Sequence, residues 1–361
     1  MNPVEKAMRK VDAAQRRFTP TAFVFGVVKK FGDDNGGVLV SNLAYSVFVA
    51  MFPLLLVLVT ILGLVFASLD PSVKADVLDA VAKQVPLIGN TLTGNVHQLK
   101  RASVIGLVIG LLGLIWGATG LAQAGLFTME QVWNLPGPAR PGYVPRLGRA
   151  VLFLCLLGGG VVVTTGLASL DNYLDKGLAF KIPLVLVTAA CNVGMYLGAF
   201  RVLTPKGVPT RKLVPGAITG GILYTVLQIL GTWLVHHYLH SDSVYRVFAT
   251  VLGLIAWIYL AVEVTVYGAE VNVVLARRLW PRAIVQPPLT EADRASMALQ
   301  ALQNQRRPEQ HVEVTFHDRE DDSGAPAWSP RTPDEIAPPA HAPAPGRNGA
   351  ADATSGRDRA K

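Results

Sequence analysis

Charge is scarce in this sequence. Asp, Glu, Lys and Arg make up 16% of its 361 residues, against about 25% in an ordinary soluble domain. The deficit is concentrated in several runs of about 20 residues, the length that crosses a hydrocarbon core. Their apolarity is continuous, so barrel strands, which alternate with period two, are excluded and helices are expected. Cysteine is nearly absent too. Cys155 and Cys191 both lie in apolar runs, which excludes a disulfide framework and leaves each as a small buried hydrophobe. Signatures of chemistry are missing as well: the chain has no HExxH, Walker A loop, GxSxG elbow or CxxC. We therefore assign no catalytic, cofactor-binding or metal-binding residue and do not expect an enzyme. The histidine cluster His236, His237 and His240, with Asp242, has no further acid or cysteine beside it to complete a metal site.

What is present is a polytopic pattern. Six spans are expected near residues 40–68, 103–127, 150–170, 182–203, 214–237 and 247–276. The first begins after a long charged stretch, so a cleaved signal peptide is not expected. Lys and Arg concentrate in alternate loops: seven precede the first span, Arg140, Arg146 and Arg149 follow the second, and Arg201, Lys206, Arg211 and Lys212 follow the fourth. The positive-inside rule then places both termini in the cytoplasm. The fold class is all-α, with six transmembrane helices. Short amphipathic helices are expected at the N-terminus, where Val4, Met8 and Val11 share a face, and in the first extracytoplasmic loop. Basic residues of the N-terminal segment, Lys29 and Lys30 among them, would sit among lipid headgroups.

Three regions follow: a basic interfacial segment at 1–35, a six-helix membrane domain at 36–280, and a disordered Pro/Ala-rich cytoplasmic tail at 281–361. Within the last, Thr290 is placed to cap a short helix near 290–307. Residues 1–280 carry 23 Lys and Arg against 13 Asp and Glu, while the tail carries 10 against 12. The positive charge is thus a property of loops beside spans. It identifies membrane lipid rather than nucleic acid as the partner.

Polar side chains inside apolar helices are costly and face the bundle interior. Asn42, Tyr45, Ser46, Gln123, Asn192 and Gln228 are of this kind, and Pro53 is expected to kink the helix that carries the first three. In the last span Glu263 and Glu270 are seven residues apart, within about 20° on a helix, and Asn272 follows. These form a candidate polar seam, with Glu263, nearer the middle, the more expensive to bury. The second span carries Gly106, Gly110, Gly113, Gly117 and Gly120 on one face, and Gly268 lies beside the seam; such stripes let helices approach closely. They suit contacts within one chain or between copies in a homo-oligomer.

Four segments, in order, resemble one family. "LAYSVFVAMFPLLLVL", "GLIWGATGLAQAGLFTMEQVWN", "PGAITGGILYTVLQILGTWLVHHYL" and "SDSVYRVFATVLGLIAWIYLAVEVTVYGAEVN" are similar to the YihY/BrkB family of bacterial inner-membrane proteins. The likeness spans about 20–280. It places family signature positions at Ala44, Tyr45, Pro53, Trp116, Tyr245, Phe248, Trp257, Gly268, Ala269, Glu270 and Asn272. Glu263 departs from the family, where that position is apolar. The resemblance implies a multi-pass protein of the bacterial inner membrane, with six helices, cytoplasmic termini and an unsettled role. Transport or export of a lipid-linked or envelope substrate is the expectation. A non-transporting scaffold for envelope assembly is the alternative, and a membrane ribonuclease, a label some members have carried, is remote.

Overall fold

The computed structural model describes residues 3–66, 104–140, 142–173, 177–204, 207–238, 246–286 and 288–316. Its elements are helices: α1 (Pro3–Arg17), α2 (Thr19–Asp33), α3 (Gly36–Phe66), α4 (Val104–Val132), α5 (Tyr143–Tyr173), α6 (Gly177–Leu203), α7 (Val214–Tyr238), α8 (Arg246–Arg277) and α9 (Glu291–Gln303). Residues 67–103, where the first extracytoplasmic loop is expected, Tyr245 and the residues after 316 lie outside the described residues, as do His240 and Asp242.

Among the described residues five helical stretches are long and apolar enough to span a membrane: Gly36–Val57, Val108–Val132, Ile182–Leu203, Val214–Gly231 and Val251–Arg277. The third expected span falls in α5, where side chains beyond residue 163 are not described. Large apolar residues such as Leu112, Leu186 and Leu252 are exposed along the spans. Outward-facing apolar surface of this kind suits lipid rather than water. Cys155 is exposed on α5 and Cys191 half-buried on α6, so neither is the buried core residue expected of it.

The glycine stripe meets α3, in the most extensive helix pairing among the described residues. A Cβ on Gly110 would lie 3.0 Å from Val57, on Gly113 3.1 Å from Pro53, and on Gly117 3.0 Å from the Ala50 Cα. The Pro53 ring thus rests on a groove of missing side chains, and α3 runs on through the proline. Gly120 faces open space, and the packing around Gly106 is not described.

Helix α8 packs against α7, α3, α2 and α4, so its last three turns sit in the centre of one end of the bundle. It stops at Arg278, which takes the left-handed conformation (φ 53°), while Leu279 N–H donates to Val274 O at 3.0 Å. Helix α4 stops the same way at Asn134 (φ 47°), with Leu135 N–H donating to Glu130 O at 2.9 Å. These paired left-handed caps bring Trp133 and Arg277 together, and Arg277 Nη2 donates to Trp133 O at 3.0 Å.

Packing continues past residue 280. In α9, Asp293, Ser296, Ala298 and Leu299 are buried against the membrane domain. Thr290 and Asp293 form a capping box, each side chain bonding the other's backbone N–H.

Candidate functional site

The end of the bundle where α2, α4, α8 and α9 meet holds most of the buried charge. Lys30 on α2 is fully buried, not among headgroups. Its Nζ pairs with Asp34 one turn later, donates to Val132 O at 3.2 Å, and lies 3.7 Å from Glu270 Oε2. Glu270 is itself fully buried, and neither of its oxygens accepts a hydrogen bond. Asp34 also accepts from Asn134 Nδ2 at 3.1 Å. The result is one ammonium facing two carboxylates in a buried interior, where charges persist only when paired.

Asp34 has a second face. It lines a polar cavity of about 650 Å³, together with Asp33, Gln131, Arg140, Gln303 and Arg306. Glu270 is thus joined to an open polar space through Lys30 and Asp34.

A second ionic cluster fastens α9 over this region. Asp293 accepts from Lys29 Nζ at 2.9 Å, Arg282 Nε at 2.6 Å, Ala283 N–H at 3.0 Å and the Thr290 hydroxyl at 2.7 Å. Arg282, 1% exposed, also donates to Asp33 at 2.6 Å. Gln300 Nε2 donates to Asp33 O at 2.8 Å, and Gly137 N–H donates to Gln305 O at 2.7 Å. Burial by itself would raise the Asp293 carboxyl, but the bonds from Arg282, Lys29, Ala283 and Thr290 together hold it well below the usual carboxylate range.

A depressed folded value means the stabilisation is fully present above the unfolded carboxylate value of about 3.9 and is lost as pH falls through the folded one. In detergent, thermal unfolding of the wild-type protein is expected to shift downward on acidification below about pH 4. Asp293→Asn should start from a lower midpoint at pH 7 and show a flatter profile. Parallel profiles for the two proteins would exclude Asp293 as the anchor.

The GAExN motif now has a physical account. Gly268 and Gly216 face each other where α8 crosses α7. A Cβ on Gly216 would lie 1.9 Å from Gly268 O. That closeness lets Asn272 Oδ1 accept from the Gly216 N–H at 2.7 Å, satisfying one of the orphan donors in the first turn of α7.

The other seam residues are dispersed. Asn192 is buried and its amide donates to Thr225 at 2.9 Å and to Gln228 at 3.0 Å. Gln123 is half-buried, and Ser46 bonds back to Asn42 O at 2.9 Å. Asn42 is exposed, and Tyr45 is 69% exposed, so neither points into the interior of the chain. Glu263 is half-buried, and burial ranks the two acids opposite to their position along the span: Glu270 is the enclosed one. Sequence reasoning missed Lys30, Asp34, Arg282 and Asp293 as site residues. Two local signals could have found them: the i, i+4 spacing of Lys30 with Asp34, and the Thr290-x-x-Asp293 box. Among the described residues no three His, Cys, Asp or Glu side chains are placed to hold a metal ion.

Comparison with known proteins fits this architecture. A UPF0761 membrane protein of Alteromonas mediterranea is 24% identical over 259 residues, covering 68% of this chain and 85% of its own length. The inner membrane protein YhjD of Escherichia coli is 22% identical over 269 residues, 69% of this chain and 79% of its own. A protein of Bacillus subtilis named ribonuclease-like, YfkH, is 22% identical over 258 residues, 66% and 89% respectively. No solved structure matches. The family model described as Virulence factor BrkB matches residues 27–289, a range that takes in α3 to α8, the GAExN helix and the α2 turn carrying Lys30: this integral membrane protein belongs to the BrkB family.

Proposed function

We propose that the protein is a transporter of the bacterial cytoplasmic membrane rather than an enzyme, and that Lys30, Asp34 and Glu270 form its charge-bearing site. One observation carries this reading. Glu270 is sealed from solvent and neither of its oxygens accepts a hydrogen bond, yet its ammonium partner is shared with Asp34, which opens onto the polar cavity. A purely structural role is better served by apolar packing or by a fully bonded pair. A carboxylate that exchanges partners or protons as a path opens must keep its bonds few, and ionisable groups at membrane depth mark such pathways. The cavity is lined by acids, amides and arginines, so the solute that enters here presents a hydrophilic group. Asn192 with Thr225 and Gln228, and Tyr196 with Thr265 at 3.1 Å, supply polar positions elsewhere in the bundle. With both termini cytoplasmic, the cavity opens inward and the transported group enters from the cytoplasm.

The test requires no knowledge of the substrate. Protein reconstituted in liposomes on a solid-supported membrane is given a pH jump, and the charge displaced is recorded. The wild type is expected to give a transient that Glu270→Gln abolishes. A wild-type signal no larger than that of empty liposomes would reject the transport reading and leave the scaffold role.

A further inference from the structure

The close-packing glycines of α4 are used inside the chain: Gly110, Gly113 and Gly117 rest on Val57, Pro53 and Ala50 in that order. The numbering rises along one helix as it falls along the other, so α3 and α4 run antiparallel. Each residue turns a helix by about 100°. Counted from that line of contact, Asn42, Tyr45 and Phe52 on α3 and Trp116 on α4 fall on the same outward side, and all four are exposed.

This face differs from the rest of the outer surface. Elsewhere the large side chains most exposed along the spans are aliphatic, as at Leu186, Ile229 and Leu252. Of the amides in the spans, Asn42 alone is exposed: Gln123 and Gln228 are half-buried, Asn192 and Asn272 buried. Tyr and Trp belong at the headgroup level. Tyr45, however, lies nine residues into the Gly36–Val57 span and Trp116 eight into Val108–Val132, roughly 12–14 Å from the ends. Among the described residues nothing bonds the Asn42 amide, the Tyr45 hydroxyl or the Trp116 indole N–H. The side-chain bonds that reach these residues, from Ser46 and Thr119, end on the Asn42 and Trp116 backbone carbonyls. An amide carried into hydrocarbon without a partner is costly, so protein rather than acyl chains closes this face.

We propose that a second copy of this chain docks here, forming a two-fold dimer whose axis runs along the membrane normal. Such an axis sets a residue beside it opposite its own copy at the same depth. An amide carries both donors and an acceptor, so it is its own complement, and each Asn42 donates to the other. Close approach is allowed by Gly37, whose Cβ would meet nothing within 4 Å, and by Ser41, whose hydroxyl is turned back onto Gly37 O at 2.8 Å. Tyr45, Phe52 and Trp116 then pack against the partner, as aromatic side chains do in interface cores. Lys30 and Glu270 take no part, so the dimer can be tested without reference to transport.

Two measurements on the full chain in lipid make that test. Protein with a fluorophore at its C-terminus is diluted into liposomes, and photobleaching steps are counted per vesicle. The wild type is expected in pairs, and Asn42→Leu should weaken pairing about tenfold, the effect of losing an interhelical side-chain hydrogen bond in a membrane. Leu252→Ala, on the aliphatic surface of α8, should stay within about twofold of the wild type. For the second, Ser41→Cys in a Cys155→Ser/Cys191→Ser background is oxidised in native membranes. It should form a disulfide-linked dimer, and Leu252→Cys in the same background should not. A wild type that bleaches in single steps at every density, or pairing that Asn42→Leu leaves unchanged, would overturn the interface. So would cross-linking of the Ser41→Cys variant to a different protein, or equal cross-linking of the Leu252→Cys variant.

Discussion

Replacing Lys30 by Met is expected to destabilise the protein by about 3–5 kcal/mol, because it strands a buried carboxylate. Lys30 and Glu270 are both fully buried, and Lys30 is the ammonium that Glu270 and Asp34 share. Removing it leaves two acids side by side with one neutral amide, Asn134, between them and the protein interior. Glu270→Leu alone is expected to cost less, because Lys30 keeps Asp34 and Val132 O. The double variant Lys30→Met/Glu270→Leu removes the pair together and should recover part of the single-variant loss, roughly 1–3 kcal/mol, as neighbouring sites do when coupled. Unfolding of the four proteins in the same detergent completes the cycle. Additive losses would show that the two charges do not interact, and the proposed site would lose its core. Recovered stability combined with lost charge movement would separate the energetic role of the pair from its role in transport.

Among the described glycines, Gly216→Ala is expected to be the most damaging methyl addition. The new Cβ meets Gly268 O at 1.9 Å and Asn272 Nδ2 at 2.5 Å. The first is backbone and cannot rotate away, so α7 and α8 must separate, and the Asn272 bond to the Gly216 N–H must lengthen with them. Overpacking costs about 1–3 kcal/mol where side chains can give. A backbone clash with loss of a cap worth about 1 kcal/mol should lie at or above the top of that range. Gly268→Ala, whose Cβ would sit 2.9 Å from Gly216 O, should be milder. Gly120→Ala, with nothing within 4 Å, should gain up to about 1 kcal/mol from helix propensity. The order Gly216, Gly268, Gly120 in unfolding temperature is the readout. A Gly216→Ala protein as stable as Gly120→Ala would mean that α7 and α8 are not locked at this crossing.

Much of this was legible in the chain. The expected spans at 182–203, 214–237 and 247–276 correspond to α6, α7 and the length of α8, because continuous apolarity over about 20 residues has one structural solution in lipid. The 3-4 spacing of Gly110, Gly113 and Gly117 places them on one face, and Ala50, Pro53 and Val57 lie against it. Thr290 marked the start of α9. Each of these signals is local: it depends on residues within a few turns of one another.

The site depended on the opposite kind of information. By the cost of burial near mid-span, Glu263 ranked above Glu270, yet the fold encloses Glu270, because α2 folds back and delivers Lys30 to it. The partners in that pair are 240 positions apart, and Lys29 and Asp293 are 264 apart. No periodicity records such a distance, and a lysine beside an apolar run has the same local pattern whether it meets a headgroup or a buried acid. Tyr45 shows the reverse: a polar residue in a span that the packing leaves on the outside. The sequence by itself determined that this is a helical membrane protein and where the apolar helices among the described residues run, since both follow from hydrophobic length along a single helix. Only the tertiary structure decided which charges are buried and with what, since a buried charge is permitted by its partner, and the partner is chosen by the fold.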